Sequence, residues 1–201
     1  LNWLAYSISE TLGDKDWAKK LFEKAETKPE NIRELCDRAD SISEVLGDKD
    51  WELKVYKKAE EKAQEYSDFY ELADSIFANL GDPQWARELL KKAEGKAEDC
   101  SDLLGVVERL CEKLGEKEWA ERVYKNAEIL AQDSNDFCCL SDSLYQNLKD
   151  EEWAKGLYKI AADKAGESYE FRWLANSLCE KPGNTNWARE LYKKAEDKAD
   201  A

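Results

Sequence analysis

"LGDKDWAKKLFEKAE" (Leu12–Glu26) is followed 34 residues later by "LGDKDWELKVYKKAE" (Leu46–Glu60). The near-identity is a repeat, and its tryptophan marks the period. Trp17, Trp51, Trp85, Trp119, Trp153 and Trp187 are each 34 residues apart, without insertion or deletion. An alanine follows the tryptophan in five units, with Glu52 the exception. Four residues on stands Leu or Val (Leu21, Val55, Leu89, Val123, Leu157, Leu191), and then Phe22, Tyr56, Leu90, Tyr124, Tyr158 or Tyr192. Eight residues after the tryptophan is always alanine, from Ala25 to Ala195. Offsets of 0, 1, 4, 5 and 8 trace one face of an α-helix.

A second helical face lies upstream. In the third unit, "DFYELADSIFANLGD" places Phe69, Leu72, Ala73, Ile76 and Leu80 at i, i+3, i+4, i+7 and i+11. We term this segment helix A and the tryptophan-bearing segment helix B. Gly13, Gly47, Gly81, Gly115 and Gly183 follow helix A, where a left-handed residue ends a helix. Asp14, Asp48, Asp82 and Asp150 fit the N-cap of helix B, with Pro83 at its first position. The "GDKD" run lacks the Asp ladder and closing Glu of a calcium loop. Period-two alternation is absent, so strands are not expected.

The spacing predicts an all-α chain of six helix-turn-helix repeats, about twelve helices in one repeat domain. The repeats run approximately 1–33, 34–67, 68–101, 102–135, 136–169 and 170–201. A lone unit cannot bury its apolar face, whereas stacked units share a core. The six repeat tryptophans are expected in that core, wedged between the helices of a repeat and toward the neighbouring one.

At this point the residues resemble a family. Helix-turn-helix units of 34 residues, with a small Ala, an aromatic or leucine four later and Ala three after that (Ala86–Leu90–Ala93, Ala120–Tyr124–Ala127, Ala154–Tyr158–Ala161, Ala188–Tyr192–Ala195), are similar to tetratricopeptide repeats. The likeness covers nearly the whole chain. The tryptophan before the small alanine is not a family position, and the helix A pattern is one residue out of register, so a divergent subclass is implied. The resemblance implies a right-handed superhelix with helix A on the concave side. It also implies a scaffold for peptides and proteins rather than a catalyst.

The net charge of −14 disfavours nucleic acid and anionic membranes, and it favours basic segments of a partner; alternatively it only keeps exposed helices soluble. Charged residues make up 38% of the chain, as in long exposed helices. The first residues lack the basic start of a secretory signal, and no run of about 18 apolar residues suggests a membrane helix. The chain has no methionine, as expected of one trimmed, processed or excised from something longer. It has no histidine either, which removes Ser-His-Asp triads, Cys-His pairs and imidazole metal ligands; no cofactor is expected.

Six cysteines occur without a CxxC. Cys36 and Cys138 share a repeat position but lie three units apart, about 30 Å at about 10 Å per helix layer. A disulfide needs Cα atoms within about 7 Å. Free thiols and a reducing, cytoplasmic compartment are expected.

A variable stripe on helix A is the candidate docking surface. Its middle residue is acidic in four units (Asp40, Asp74, Glu108, Asp142), flanked by Tyr70, Phe77, Tyr145 and Arg172. An acidic ladder with aromatics suits an extended peptide containing Lys or Arg; the other reading is a second packing stripe with solvated charge. Trp3 and Trp173 share one helix A position: exposed, they are anchors for a partner, and buried, they fill space. The sequence thus supports a non-catalytic binding scaffold, with an end-to-end self-assembling module as the alternative. Carboxylate pairs such as Asp14 and Asp16 suit capping better than acid–base work.

Overall fold

The computed structural model describes residues 1–28, 30–181 and 184–199, and these contain twelve α-helices and no strand. The A helices are α1 (Asn2–Leu12), α3 (Ile32–Leu46), α5 (Tyr66–Ser75), α7 (Cys100–Arg109), α9 (Ser134–Asn147) and α11 (Ser168–Cys179). The B helices are α2 (Lys15–Ala25), α4 (Lys49–Lys62), α6 (Pro83–Glu94), α8 (Lys117–Leu130), α10 (Glu151–Lys164) and α12 (Thr185–Ala199). A π-helical turn prolongs α5 (Ile76–Leu80) and α7 (Leu110–Leu114) up to the glycine. Each A helix packs on the B helix that follows it, which makes six helix-turn-helix repeats. They fall into two compact units of three repeats, Leu1–Lys96 and Ala97–Ala201.

The turn between A and B is built from two local devices. Gly13, Gly47, Gly81 and Gly115 adopt φ of 62–68°, the left-handed region a side chain enters only with strain. Repeat 5 has Lys149 there instead, at φ 59°. The predicted stop at Gly183 lies outside the described residues. Asp14, Asp48, Asp82 and Asp150 then each accept the backbone N–H of the repeat tryptophan at 2.9–3.0 Å. In repeat 4 Glu116 takes that place and makes no capping bond.

Within each unit, neighbouring A helices pack directly: α1 on α3 and α3 on α5, α7 on α9 and α9 on α11. Consecutive B helices stand further apart, so each unit bends toward its A helices. The alanines after the tryptophan and eight residues from it are buried, which lets the two helices of a repeat approach closely. Repeat 2 breaks the rule with Glu52, fully buried, its carboxylate 2.9 Å from the Lys49 ammonium. It also buries Arg38 at a position that is Leu72 in repeat 3, pairing it with Glu30 at 2.5 Å.

Four of the repeat tryptophans lean on the neighbouring repeat, reaching back to the preceding B helix, and the expectation that all six lie in the core fails at Trp17, which is exposed. Trp51 sits edge-on to Phe22, Trp85 to Tyr56, Trp153 to Tyr124 and Trp187 to Tyr158, with ring centroids 6.1–6.4 Å apart and planes 71–89° apart. Such T-shaped pairs contribute about 0.5–1.5 kcal/mol beyond burial. Three of these indoles also donate Nε1–H to a carboxylate 25 residues back: Trp51 to Glu26, Trp85 to Glu60 and Trp153 to Glu128, at 2.8–3.2 Å. The indole thus fills the wider gap between B helices. Trp119 is buried, Trp51, Trp85, Trp153 and Trp187 are half-buried, and Trp17 is 48% exposed.

Candidate functional site

The A helices and B helices carry opposite balances of charge. The six A helices, with the two π turns, hold fourteen acidic and five basic residues. The six B helices hold seventeen acidic and twenty-two basic. In each unit the side toward which the repeats bend is therefore the acidic one, and lysines line the other.

The stripe residues do not all offer free carboxylates there. In unit 1, Asp40 is half-buried and accepts the hydroxyl of Tyr56 from its own repeat. Burial raises its carboxyl above the ordinary range, and the Tyr56 hydrogen bond partly offsets this. Asp74, Tyr70 and Phe77 are half-exposed on the neighbouring α5, and Tyr70 stacks on Tyr66 with centroids 5.5 Å apart. Arg33 of α3 bridges to Glu71 of α5 at 2.7 Å.

In unit 2, Glu108 is exposed and pairs with Arg109 at 3.0 Å. Asp142 is the centre of a polar knot. It accepts the Tyr158 hydroxyl, the Ser177 hydroxyl at 2.8 Å and the Lys181 ammonium at 2.5 Å. Lys181 is only 5% exposed, and its ammonium lies 5.6 Å from the Tyr145 ring and 5.3 Å from the Tyr158 ring. A buried cation between a carboxylate and two aromatic faces is satisfied within the chain. Tyr145 is thereby engaged by Lys181, while Arg172 stands exposed on α11.

So the structure brings Asp40 and Asp74 onto adjacent helices in unit 1, and Asp142 and Tyr145 into one cluster in unit 2. It turns Asp40 and Asp142 inward to phenols, and it leaves Glu108 and Arg172 open to solvent. Trp3 and Trp173 are exposed, at 78% and 55%, as is Tyr169, one helical turn before Trp173, at 57%. A small cavity of about 80 Å³ opens beside Tyr169 and Trp173, walled by Asp133, Asn135 and Cys138.

The phenol partners are the feature sequence reasoning missed. A signal exists: a B-helix tyrosine has a polar residue sixteen positions earlier, as in Tyr56 with Asp40, Tyr158 with Asp142 and Tyr192 with Asn176. Tyr124 uses Ser143 at 2.8 Å and Asn147 at 3.1 Å instead. Burial pushes Tyr124 up to about 12, and burial followed by the carboxylate bond moves Tyr56 and Tyr158 further in the same direction. All six cysteines are free thiols. Burial raises Cys36, Cys100 and Cys138 to about 12, so none of these three is an activated nucleophile.

The outer grooves between B helices are open and mixed in charge. One of about 650 Å³ lies over Trp51 between lysines and acids of α2 and α4. Among the described residues no cluster of acids and cysteines could hold a metal ion, and no helix is long and apolar enough to cross a membrane. No family model matches the chain, and no curated protein matches it.

Proposed function

We propose that the chain is a non-catalytic, tetratricopeptide-like docking scaffold. Its A-helix surface takes up an extended protein or peptide segment containing Lys and Arg. The observation that carries this reading is the charge segregation: acids concentrate on the A helices, on the side toward which each unit bends. Exposed Trp3, Tyr169 and Trp173 supply anchors on those same helices, and a Lys or Arg stem packs well on such rings. Nucleic acid and membrane partners, a cofactor and a catalytic role form no part of the reading. Free thiols fit a reducing compartment, and we place the protein in the cytoplasm on that basis.

The test is fluorescence anisotropy with a labelled extended Lys/Arg peptide. The combined variant Asp37→Asn, Asp74→Asn, Glu108→Gln should weaken binding about tenfold at low salt, with less effect at high salt. Neutralising Glu118 and Glu121 on the B helix α8 should change it little. Equal losses for both sets would make the attraction non-specific and sink the reading. Asp40 and Asp142 are left out of the test because their substitution would also disturb the tyrosines.

A further inference from the structure

At three repeat junctions the indole of one repeat gives its N–H to a carboxylate on the B helix of the repeat before it. The junction of repeats 2 and 3 is the fullest case. Glu60 of α4 accepts the Trp85 indole at 2.9 Å and the Lys92 ammonium at 2.6 Å. One carboxylate thus holds two donors that reach it from α6.

The junction of repeats 5 and 6 keeps both donors and lacks the acceptor. Trp187 and Lys194 of α12 hold the repeat positions of Trp85 and Lys92, but Ala162 of α10 stands where Glu60 does. Trp187 still sits edge-on to Tyr158, with centroids 6.4 Å apart, so its ring is placed as at the other junctions. The Lys194 ammonium lies 5.7 Å from the centroid of Phe171. Among the described residues, neither the Trp187 indole N–H nor the Lys194 ammonium meets a carboxylate. Trp187, Lys194 and Ala162 line one open groove of about 480 Å³ between α10 and α12. Both helices belong to unit 2, so the groove does not depend on what precedes or follows the chain.

Its charge is reversed against the equivalent groove over Trp51. There Lys19, Lys54 and Lys58 are outnumbered by Glu23, Glu26, Asp48 and Asp50. At the matching positions of the second groove, Lys159 replaces Glu23, Ala162 replaces Glu26, and Asn184 and Asn186 replace the two aspartates. Only Glu190, in place of Lys54, runs the other way. Lys155, Lys159 and Lys194 therefore outnumber Asp163 and Glu190, and the sign becomes positive.

We propose that this groove binds a side-chain carboxylate of an acidic partner segment, which takes the place that Glu60 fills between repeats 2 and 3. Trp187 donates its indole N–H to the carboxylate, and Lys194 pairs with it. Lys155 and Lys159 attract the neighbouring acids of the same segment. A Glu or Asp side chain is the occupant this pair of donors selects, because the chain itself fits the same pair to a glutamate. The overall charge of −14 opposes an acidic partner at long range. Screening over about 8 Å at physiological ionic strength leaves the local field of the groove in control. The site lies on B helices and is independent of the basic-segment docking proposed for the A helices.

The test is fluorescence anisotropy of a labelled Glu-rich peptide with the whole chain at physiological salt. Two-dimensional NMR of the indole N–H groups accompanies it, the Trp187 signal being assigned with Trp187→Phe. The peptide should bind and move the Trp187 signal, and it should leave that of Trp85, whose N–H is already taken. Ala162→Glu installs the acceptor within the chain and should weaken binding about tenfold. Lys194→Gln should weaken it about fivefold, and Lys20→Gln/Lys57→Gln, on unit 1, should change it little. Circular dichroism checks the helicity of each variant, and Lys194→Gln decides the matter if Ala162→Glu does not fold. No binding by the wild type overturns the proposal. So does equal binding by the wild type and the folded variants, or binding that leaves the Trp187 signal unmoved. Inorganic phosphate that moves this signal where the peptide does not would make the groove a site for a free anion, and would overturn the assignment to an acidic segment.

Discussion

The phenol of Tyr158 donates to the carboxylate of Asp142, sixteen residues earlier in the same repeat, and Lys181 of the next repeat closes on both. The cluster ties a B helix, its A helix and the following repeat through one carboxylate. Replacing Asp142 by Asn should leave the Lys181 ammonium buried without its counter-charge, a loss of about 3–5 kcal/mol in urea unfolding. Glu108→Gln at the same repeat position should cost under about 0.5 kcal/mol, because its pair with Arg109 is exposed. Equal costs would show that the knot contributes nothing special.

The same phenols set the alkaline limit. Tyr124 moves from 10.0 in the ordinary state to about 12 in the fold, chiefly through burial. Between these values the folded chain holds a proton that the unfolded chain has lost, so stability falls as pH rises. It is fully present below pH about 10 and is lost progressively toward pH about 12. Tyr56 and Tyr158, raised further, add to this slope. Tyrosinate absorbance should therefore rise together with loss of helicity. Smooth ionisation of every tyrosine in a chain still fully helical would contradict it.

Tryptophan substitutions should differ by position. Trp85→Ala removes a ring pair and an indole bond to Glu60, and should cost about 2–4 kcal/mol. Trp17→Ala, at an exposed site, should cost under about 1 kcal/mol in the dilute chain. Urea midpoints for the two variants decide it.

Repeat 4 lacks the capping aspartate and repeat 5 the glycine, and restoring each should stabilise the chain. Glu116→Asp offers the Trp119 amide the short carboxylate found at Asp14, Asp48, Asp82 and Asp150, for about 0.5–1 kcal/mol. Lys149→Gly relieves the left-handed backbone at φ 59°, for a gain of about 0.5–1 kcal/mol. Thermal unfolding midpoints should rise for each and add in the double variant.

Thiol labelling should resolve the cysteines. Cys139 and Cys179 are exposed and should react first with a maleimide. Cys36, Cys100 and Cys138 are buried with thiols near 12 and should wait for unfolding. Mass spectrometry of a time course reads the order; early modification of Cys36 would contradict the packing.

The repeat register, the glycine stops and the aspartate caps were legible because each is a local rule written at one spacing. The site was less so. Asp40 and Asp142 look like surface acids on a helical wheel, and only the approach of Tyr56 and Tyr158 from another helix turns them inward. The tryptophan was recognised as structural and expected to reach a neighbouring repeat, but its partners on the preceding B helix were not legible, since offsets within a helix say nothing about which side chain of another repeat it meets. Glu26, Glu60 and Glu128 keep the same period as the tryptophans, yet their meaning depends on how far apart the B helices stand. Trp3 and Trp173 share a position with Asp37 and Glu71, and their exposure followed only once α1 and α11 were in place.

The junction partners are separated by constant intervals, 25 residues from carboxylate to indole and 29 from ring to ring. Gain or loss of a whole 34-residue segment therefore restores every contact at the new seam, whereas a gap of any other size rotates the indole away from its acceptor. A gene of this kind can lengthen or shorten by unequal crossing-over between its own copies without new interface residues having to arise. The number of repeats is then free to drift while the seam chemistry stays fixed.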